Sequence, residues 1–162
     1  MDGAIVIGNR AEGNMELKPI GAIHTPFTSQ EGMPRSTSKA VGVKGTVEVS
    51  EEYRAGLKDL GGFSHVILLW YLDRSTGFHL EVVPPKQTQT RGLFATRSPH
   101  RPNPIGLSIV KLDRVEDDIL HVDGVDMLDG TPLLDIKPYI PASDCHPDAR
   151  SGWLEQRGEC RR

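Results

Sequence analysis

The densest chemistry in this chain lies in RGLFATRSPHRPNPIGLS, Arg91 to Ser108. Pro99, Pro102 and Pro104 fix φ and remove amide donors, so the loop that carries them is stiff. Arg97, His100, Arg101 and Asn103 are displayed on it. Rigid display of donors suits an anionic or planar ligand, and a guanidinium grips carboxylate or phosphate in a bidentate way. The plainer reading is a rigid crossover whose arginines cap carbonyls, although that alone would not need so many polar groups in one short loop. Charge around this stretch is sharply sorted. From Lys86 to Arg114 there are six cations (Lys86, Arg91, Arg97, Arg101, Lys111, Arg114) and one anion, Asp113. Then come Glu116, Asp117, Asp118, Asp123, Asp126, Asp129 and Asp135, with no Lys or Arg before Lys137. A basic segment can meet phosphates while an acidic one serves another task. Pairing of the two across adjacent strands is an equal alternative.

The elements that must hold this loop read as short strands. Leu17 to Thr25 is one, followed by a long loop, Pro26 to Ala40, of the kind that is often functional. Val43, Val47 and Val49 alternate with polar residues and predict a second strand. Ser50 as N-cap, with Glu51 and Glu52 in the first turn, predicts a helix to about Leu60, stopped by Gly61 and Gly62. Phe63 to Leu72 is nearly all apolar and reads as a strand buried on both faces. Further strands are expected at His79 to Val83, Gly92 to Thr96, Gly106 to Val115, Ile119 to Val122, Val125 to Leu128 and Leu133 to Lys137. Asp117-Asp118 and Asp129-Gly130 are the turn signals. Many short strands with one short helix predict a mainly β, single-domain closed β-barrel with long functional loops.

With 162 residues, the chain fits one domain. Met15 opens a sensible domain start, so residues 1–14 read as a flexible extension, 15–144 as the barrel, and 145–162 as a polar tail that either docks through Trp153 and Leu154 or frays. No apolar run reaches membrane-span length and the start lacks the pattern of a signal peptide, which points to the cytoplasm. Cys145 and Cys160 form no CxxC pair, and none of the histidines has a neighbour at metal-ligand spacing, so no metal is assigned. The net charge of −3 argues mildly against a general nucleic-acid binder. No GxGxxG follows a strand, which leaves a Rossmann cofactor site unsupported.

Four blocks resemble one family in order and in register. ATRSPHRPNPIG (Ala95 to Gly106) is similar to the signature of the TsaA-like, TrmO-type family. So are GFSHVILLWYLD (Gly62 to Asp73), VDMLDGTPLLDIKPYIP (Val125 to Pro141), and the opening IGAIHTPF with its MPR, Met33 to Arg35. Together they cover roughly Lys18 to Asp144. The resemblance implies a β-barrel unlike the Rossmann methyltransferases, and a homodimer with S-adenosylmethionine near the subunit interface. It also implies methyl transfer to the exocyclic nitrogen of threonylcarbamoyladenosine at position 37 of tRNA. Carried onto matching positions, the family's cofactor contacts fall on Pro34, Arg35, Ser36, Asp73, Arg74, Arg97, Leu107, Leu128, Asp129, Gly130 and Thr131. Ser36 stands where the family usually has Gln, and its shorter side chain cannot reach as far. The family often has a C-terminal extension with further tRNA contacts, and this chain ends soon after the core, so more of its tRNA affinity is expected to depend on the dimer.

Methyl transfer from a sulfonium needs alignment more than activation. The exocyclic amine improves as a nucleophile when an acceptor orients its N–H and takes the proton. Asp135 and Tyr139, in the DIKPY block, are the candidates for that role. A salt bridge from Asp135 to Lys137 or to an arginine of the basic loop, and a packing role for Tyr139, are equally open. Arg91 and Arg101 can grip the threonyl carboxylate, and His100 and Asn103 can touch the substrate. Two other readings stay open: a methyltransferase for a small-molecule acceptor, and a non-enzymatic S-adenosylmethionine-binding module.

Overall fold

The computed structural model describes residues 5–7 and 15–157. Its strands are β1 (Ile5–Ile7), β2 (Met15–Leu17), β3 (Gly21–His24), β4 (Lys44–Val49), β5 (His65–Tyr71), β6 (Glu81–Val82), β7 (Arg91–Gly92), β8 (Ile105–Glu116), β9 (Ile119–Asp123) and β10 (Thr131–Pro138). Six of them close into a barrel in the order β10-β3-β4-β9-β8-β5, every neighbouring pair antiparallel. The mainly β closed barrel expected from the sequence is therefore the fold. β1 pairs with β2, and β6 with β7, as two-stranded sheets outside it. Most of the segment read as an N-terminal extension, like Cys160 at the other end, lies outside the described residues.

Alternation builds the core. Inward positions of successive strands supply Ile23, Val47, Val49, Val66, Leu68, Val110, Leu112, Leu120, Val122 and Leu133, all buried. Outward positions of β5 and β8 meet across their shared ladder: Tyr71 opposite Ile105, Leu69 opposite Leu107, and Ile67 opposite Ile109. These are apolar yet face out, so the strand read as buried on both faces is buried on one face of the single chain. Ile105, Leu107 and Ile109 are 39%, 52% and 38% exposed.

Four other expectations are corrected. The helix from Glu51 is instead two 3-10 segments, Glu51–Leu57 and Leu60–Gly62, and the Ser50 side chain makes no cap bond. Gly56 weakens the segment as an α-helix. Asp59, at φ 67°, then turns the chain through the left-handed region, while Tyr53, Leu57 and Leu60 pack on the core. The one α-helix among the described residues, α1 (Pro141–Asp144), is a single turn that the sequence did not signal. The strand read from Leu17 to Thr25 is broken around Pro19, which cannot donate to a ladder. Val125 to Leu128 is no strand, and Gly92 to Thr96 becomes β7 followed by a 3-10 turn at Leu93–Ala95. Both turn signals hold: Asp117 (φ 56°) turns β8 into β9, and Gly130 (φ 74°) leads into β10.

At one end of the barrel interior the Trp70 ring lies against Gly106. A Cβ added to Gly106 would sit inside contact distance of the indole. Opposite charges join the strands on the outer wall. Lys44 Nζ lies 2.7 Å from Asp113 and 2.8 Å from Asp123, and Lys111 lies 3.0 Å from Asp113. Lys44, then Lys111, hold the Asp113 carboxyl down from 3.8 to about 2.

Two outcomes follow. Gly106→Ala should cost about 1–3 kcal/mol by overpacking against Trp70, read as a lower denaturant midpoint in chemical unfolding. Because Asp113 is depressed in the folded state, its contribution is present above pH 3.8 and lost as pH falls toward about 2. Lys44→Met should flatten that loss of stability in acid without removing it, since Lys111 remains, as thermal melts across this range would reveal.

Candidate active site at one mouth of the barrel

Antiparallel closure decides which loops share an end. The C-terminal ends of β3, β5 and β9 and the N-terminal starts of β4, β8 and β10 lie at the same mouth. Its rim is therefore built from residues 25–43, 72–80, 93–104 and 124–130. Every cofactor candidate falls on this rim or within a few residues of it. Pro34, Arg35 and Ser36 are on the first loop, Asp73 and Arg74 follow β5, and Arg97 and Leu107 flank the start of β8. Leu128, Asp129, Gly130 and Thr131 lead into β10.

The turn before β10 is the best-anchored part of the mouth. The Asp129 amide donates to Phe27 O (2.7 Å), and its Oδ1 accepts from the Thr25 amide (3.1 Å). The Asp129 carbonyl accepts from Arg74 Nη2 at 2.9 Å. His24 Nδ1 lies 3.4 Å from Asp129 Oδ1, while its Nε2 lies 3.2 Å from Glu48. The Thr25 amide holds the Asp129 carboxyl below its ordinary value, and His24 adds to this. Thr131 Oγ1 donates to Leu128 O at 2.7 Å, so that hydroxyl closes the turn. Arg74 Nε also approaches Asp73 at 3.8 Å. Across the mouth a 3-10 turn, Thr37–Lys39, follows Ser36 and is pinned by the fully buried Ala40. Ser36 Oγ bonds Ser38 Oγ at 3.0 Å, so its short side chain serves the loop itself.

The proline-rich loop is held from within. Arg101 Nη1 donates to Thr96 O (2.9 Å), and its guanidinium lies 5.6 Å from the Phe94 ring centroid. His100 Nδ1 is 3.1 Å from both Ser75 Oγ and Thr76 O, tying this loop to the one after β5. Arg91 donates to Gln89 at 2.7 Å and stacks on Trp153, 5.1 Å from its centroid. Trp153 Nε1 in turn donates to Ala95 O at 2.9 Å, so this tail residue docks on the signature segment. Arg97 and Asn103 are exposed.

The structure does not bring Asp135 and Tyr139 to the mouth. Asp135 lies midway down β10, opposite Leu69, with Lys137 at 2.8 Å. Tyr139 is beyond the far end of β10, where its amide donates to His65 O and its ring meets that of His65 at 6.3 Å. Lys111 and Arg114, read as possible phosphate contacts, pair with Asp113 (3.0 Å) and Glu116 (2.7 Å). For these two, strand-to-strand or local pairing is what the structure shows.

Sequence reasoning missed a partly buried polar line at this mouth, centred on the buried Ser108. Trp70 Nε1 donates to Ser108 Oγ (3.1 Å), and Ser108 Oγ donates to Asp126 Oδ1 (2.7 Å). The available signal was Ser108 itself, a polar residue at an inward position of an apolar strand, where a partner is required. Burial raises the Asp126 carboxyl above its ordinary value, against the opposing pull of the Ser108 hydroxyl, its own amide, Arg97 and the Thr37 amide.

As a donor set, the mouth suits S-adenosylmethionine. Arg35, Arg74 and Arg97 offer cations for a carboxylate, and Asp73 and Asp129 offer acceptors for ammonium and ribose hydroxyls. Leu107 and Leu128 offer apolar surface for a base. Two hollows on the outer wall lie elsewhere, one beside Glu51–Lys58 and one around His24, Lys44 and His121, and neither is lined by these residues.

Residues 22–145 match the tRNA-methyltransferase O N-terminal domain. The chain is 48% identical over 139 residues to a probable S-adenosyl-L-methionine-binding protein of Pyrococcus abyssi, covering 86% of this chain and 76% of that one. It is 38% identical to a tRNA (adenine(37)-N6)-methyltransferase of Mus musculus, covering 82% of this chain but 32% of the mouse protein. A crystal structure of TrmO from Pseudomonas aeruginosa superposes with a TM-score of 0.75 at 36% identity, over 91% of this chain and 64% of that one. The chain thus spans about a third of the mouse protein and just under two thirds of the crystallised chain. With the barrel and most of its length matched, this chain belongs to the tRNA-methyltransferase O N-terminal-domain family.

Proposed function

We propose that this chain is an S-adenosylmethionine-dependent tRNA methyltransferase acting on N6 of threonylcarbamoyladenosine at position 37. The observation that carries this reading is the meeting of the cofactor candidates, drawn from four separate segments, at one barrel mouth. S-adenosylmethionine, when bound there, supplies an activated methyl group. The chain's own part is to hold and orient. Arg35, Arg74 and Arg97 bind its carboxylate end, the Leu128–Thr131 turn presents backbone groups, and Leu107 and Leu128 shield its base from water.

The acceptor must leave its stack to reach such a mouth. Arg91 and Arg101, both stacked on aromatic rings beside the mouth, give the threonyl carboxylate a cationic rim. His100 and Asn103 edge the same rim. Asp135 lies midway down β10 and Tyr139 beyond its far end, so within one chain they are poorly placed to take a proton at the mouth.

The same reading includes a homodimer. The outward apolar strip of Ile67, Leu69, Ile105, Leu107 and Ile109 is the surface a second copy would cover, and Leu107 makes it continuous with the cofactor candidates. Asp135 and Lys137 on the neighbouring strand give that strip a charged border of both signs, which suits a self-complementary face. Cytoplasmic location agrees with a tRNA substrate, and no helix among the described residues is long and apolar enough to cross a membrane.

Labelled S-adenosylmethionine should transfer methyl into tRNA carrying threonylcarbamoyladenosine and not into the same tRNA without it. Equal label in both would remove the threonylcarbamoyl requirement. No label in either, with the cofactor still bound, would favour another acceptor or a binding role alone. Ile109→Lys should shift the native mass measured by light scattering from dimer to monomer, and a monomeric unsubstituted chain would refute the dimer.

A further inference from the structure

Asp126 takes no part in the cofactor set above, yet its surroundings place it at the centre of the mouth. Ser108, its hydroxyl donor, follows Leu107. The Thr37 amide, which also lowers its pKa, follows Ser36, and Arg97 acts on it from the proline-rich loop. Leu128 is two residues on. Three of the four rim segments that supply cofactor candidates thus converge on one half-buried carboxylate.

The direction of the buried line is fixed by chemistry. An indole nitrogen can only donate, so Trp70 must give its proton to Ser108 Oγ. Ser108 is 1% exposed and has one hydroxyl proton of its own. At 2.7 Å from Asp126 Oδ1 that proton goes to the carboxylate. Oδ1 is therefore held as an acceptor, and while that bond is kept a proton gained by Asp126 goes to Oδ2. One oxygen is anchored by the barrel while the other remains the site of protonation, which is the arrangement a positioned general base needs. The ring of Trp70, fixed over Gly106, makes the anchor rigid.

We propose that Asp126 is the proton acceptor of the methyl transfer, receiving on Oδ2 the proton that the acceptor nitrogen loses. This rests on the function proposed above. In balance, the nitrogen lone pair forms the new N–CH3 bond, and the S–CH3 bond breaks with its electron pair left on sulfur. The N–H bond breaks as its proton passes to Asp126, which later gives it to solvent. Burial already holds this carboxyl above its ordinary value, in the direction that strengthens it as a base. The charged group that faces it is Arg97, while Ser108 from β8 and the Thr37 amide from the 25–43 loop are neutral.

The test uses Asp126→Asn and Ser108→Ala in the full chain. Asn keeps an acceptor for Ser108 but cannot take a proton. Asp126→Asn should keep S-adenosylmethionine affinity within about 3-fold by calorimetry while single-turnover methylation of modified tRNA falls at least ~100-fold. Ser108→Ala removes a bond that lowers the Asp126 pKa. The carbon-13 titration of the Asp126 carboxyl, and the acid limb of the rate profile with it, should therefore move to higher pH. A purely structural role would leave the Asp126 titration and the acid limb unlinked. The proposal is overturned if Asp126→Asn retains turnover, or if cofactor affinity falls in step with turnover, which would make Asp126 part of the binding site. Inactivity of the unsubstituted chain on modified tRNA would instead refute the broader functional reading, and that control is run first.

Discussion

Closure of the barrel through β10 is the constraint on which the rest depends. β10 pairs on one side with β3 and on the other with β5, so one strand completes the ring. An even number of strands lets every pair be antiparallel without a mismatch at the seam. Because neighbouring strands alternate in direction, loops far apart in sequence are sent to the same mouth. Residues 34–36 and 128–131 are nearly a hundred positions apart, yet the β3–β10 pairing sets them on one rim. Most of this architecture is non-local, and such contacts are reached only after substantial loop-closure entropy has been spent. The dense inward packing of Val, Leu and Ile is what offsets that cost.

A narrow barrel filled by side chains has little room for polar groups, and each one inside must be satisfied. The Trp70–Ser108–Asp126 line meets this requirement and also links interior to rim. Gly106 is needed because the indole occupies the space where a Cβ would stand. Fold and site therefore share residues: Trp70, which seals the end of the core over Gly106, also donates to the Ser108 hydroxyl that anchors Asp126 Oδ1. The Asp129 turn is built on the same plan, with backbone amides and an arginine converging on one residue so that the rim holds its shape.

Much of the strand pattern was legible because alternation in β4, β8 and β9 was clear, and because Asp117 and Gly130 occupy left-handed positions that their residue types tolerate. The misread elements share a physical cause. Glu51 to Leu60 has helical charge and cap signals, but Gly56 and the pull of Tyr53, Leu57 and Leu60 toward the core leave only 3-10 turns. Local propensity there yields to packing. β5 was read as doubly buried because sequence cannot distinguish an apolar residue that faces the core from one awaiting another surface. The rim was legible through family resemblance, whereas Asp126 was not, since a carboxylate in an acidic run carries no sign of which oxygen will be anchored.

The sorting of charge along the chain resolves into two uses. Lys111 and Arg114, late in the basic segment, lie on a strand and pair with Asp113 and Glu116. Arg91, Arg97 and Arg101 precede that strand and sit around the mouth, two of them resting on aromatic rings. The acidic run divides likewise: Asp123, with Asp113 from the basic segment, binds Lys44 on the wall, while Asp126 and Asp129 stand at the rim. A net charge of −3 is therefore a poor guide to what the mouth attracts. Wall carboxylates are largely neutralised by wall lysines, and the field around the mouth is set by Arg35, Arg74, Arg91, Arg97 and Arg101 against the carboxylates of Asp73, Asp126 and Asp129. That balance suits a ligand carrying both signs, with an anionic polymer passing beside it.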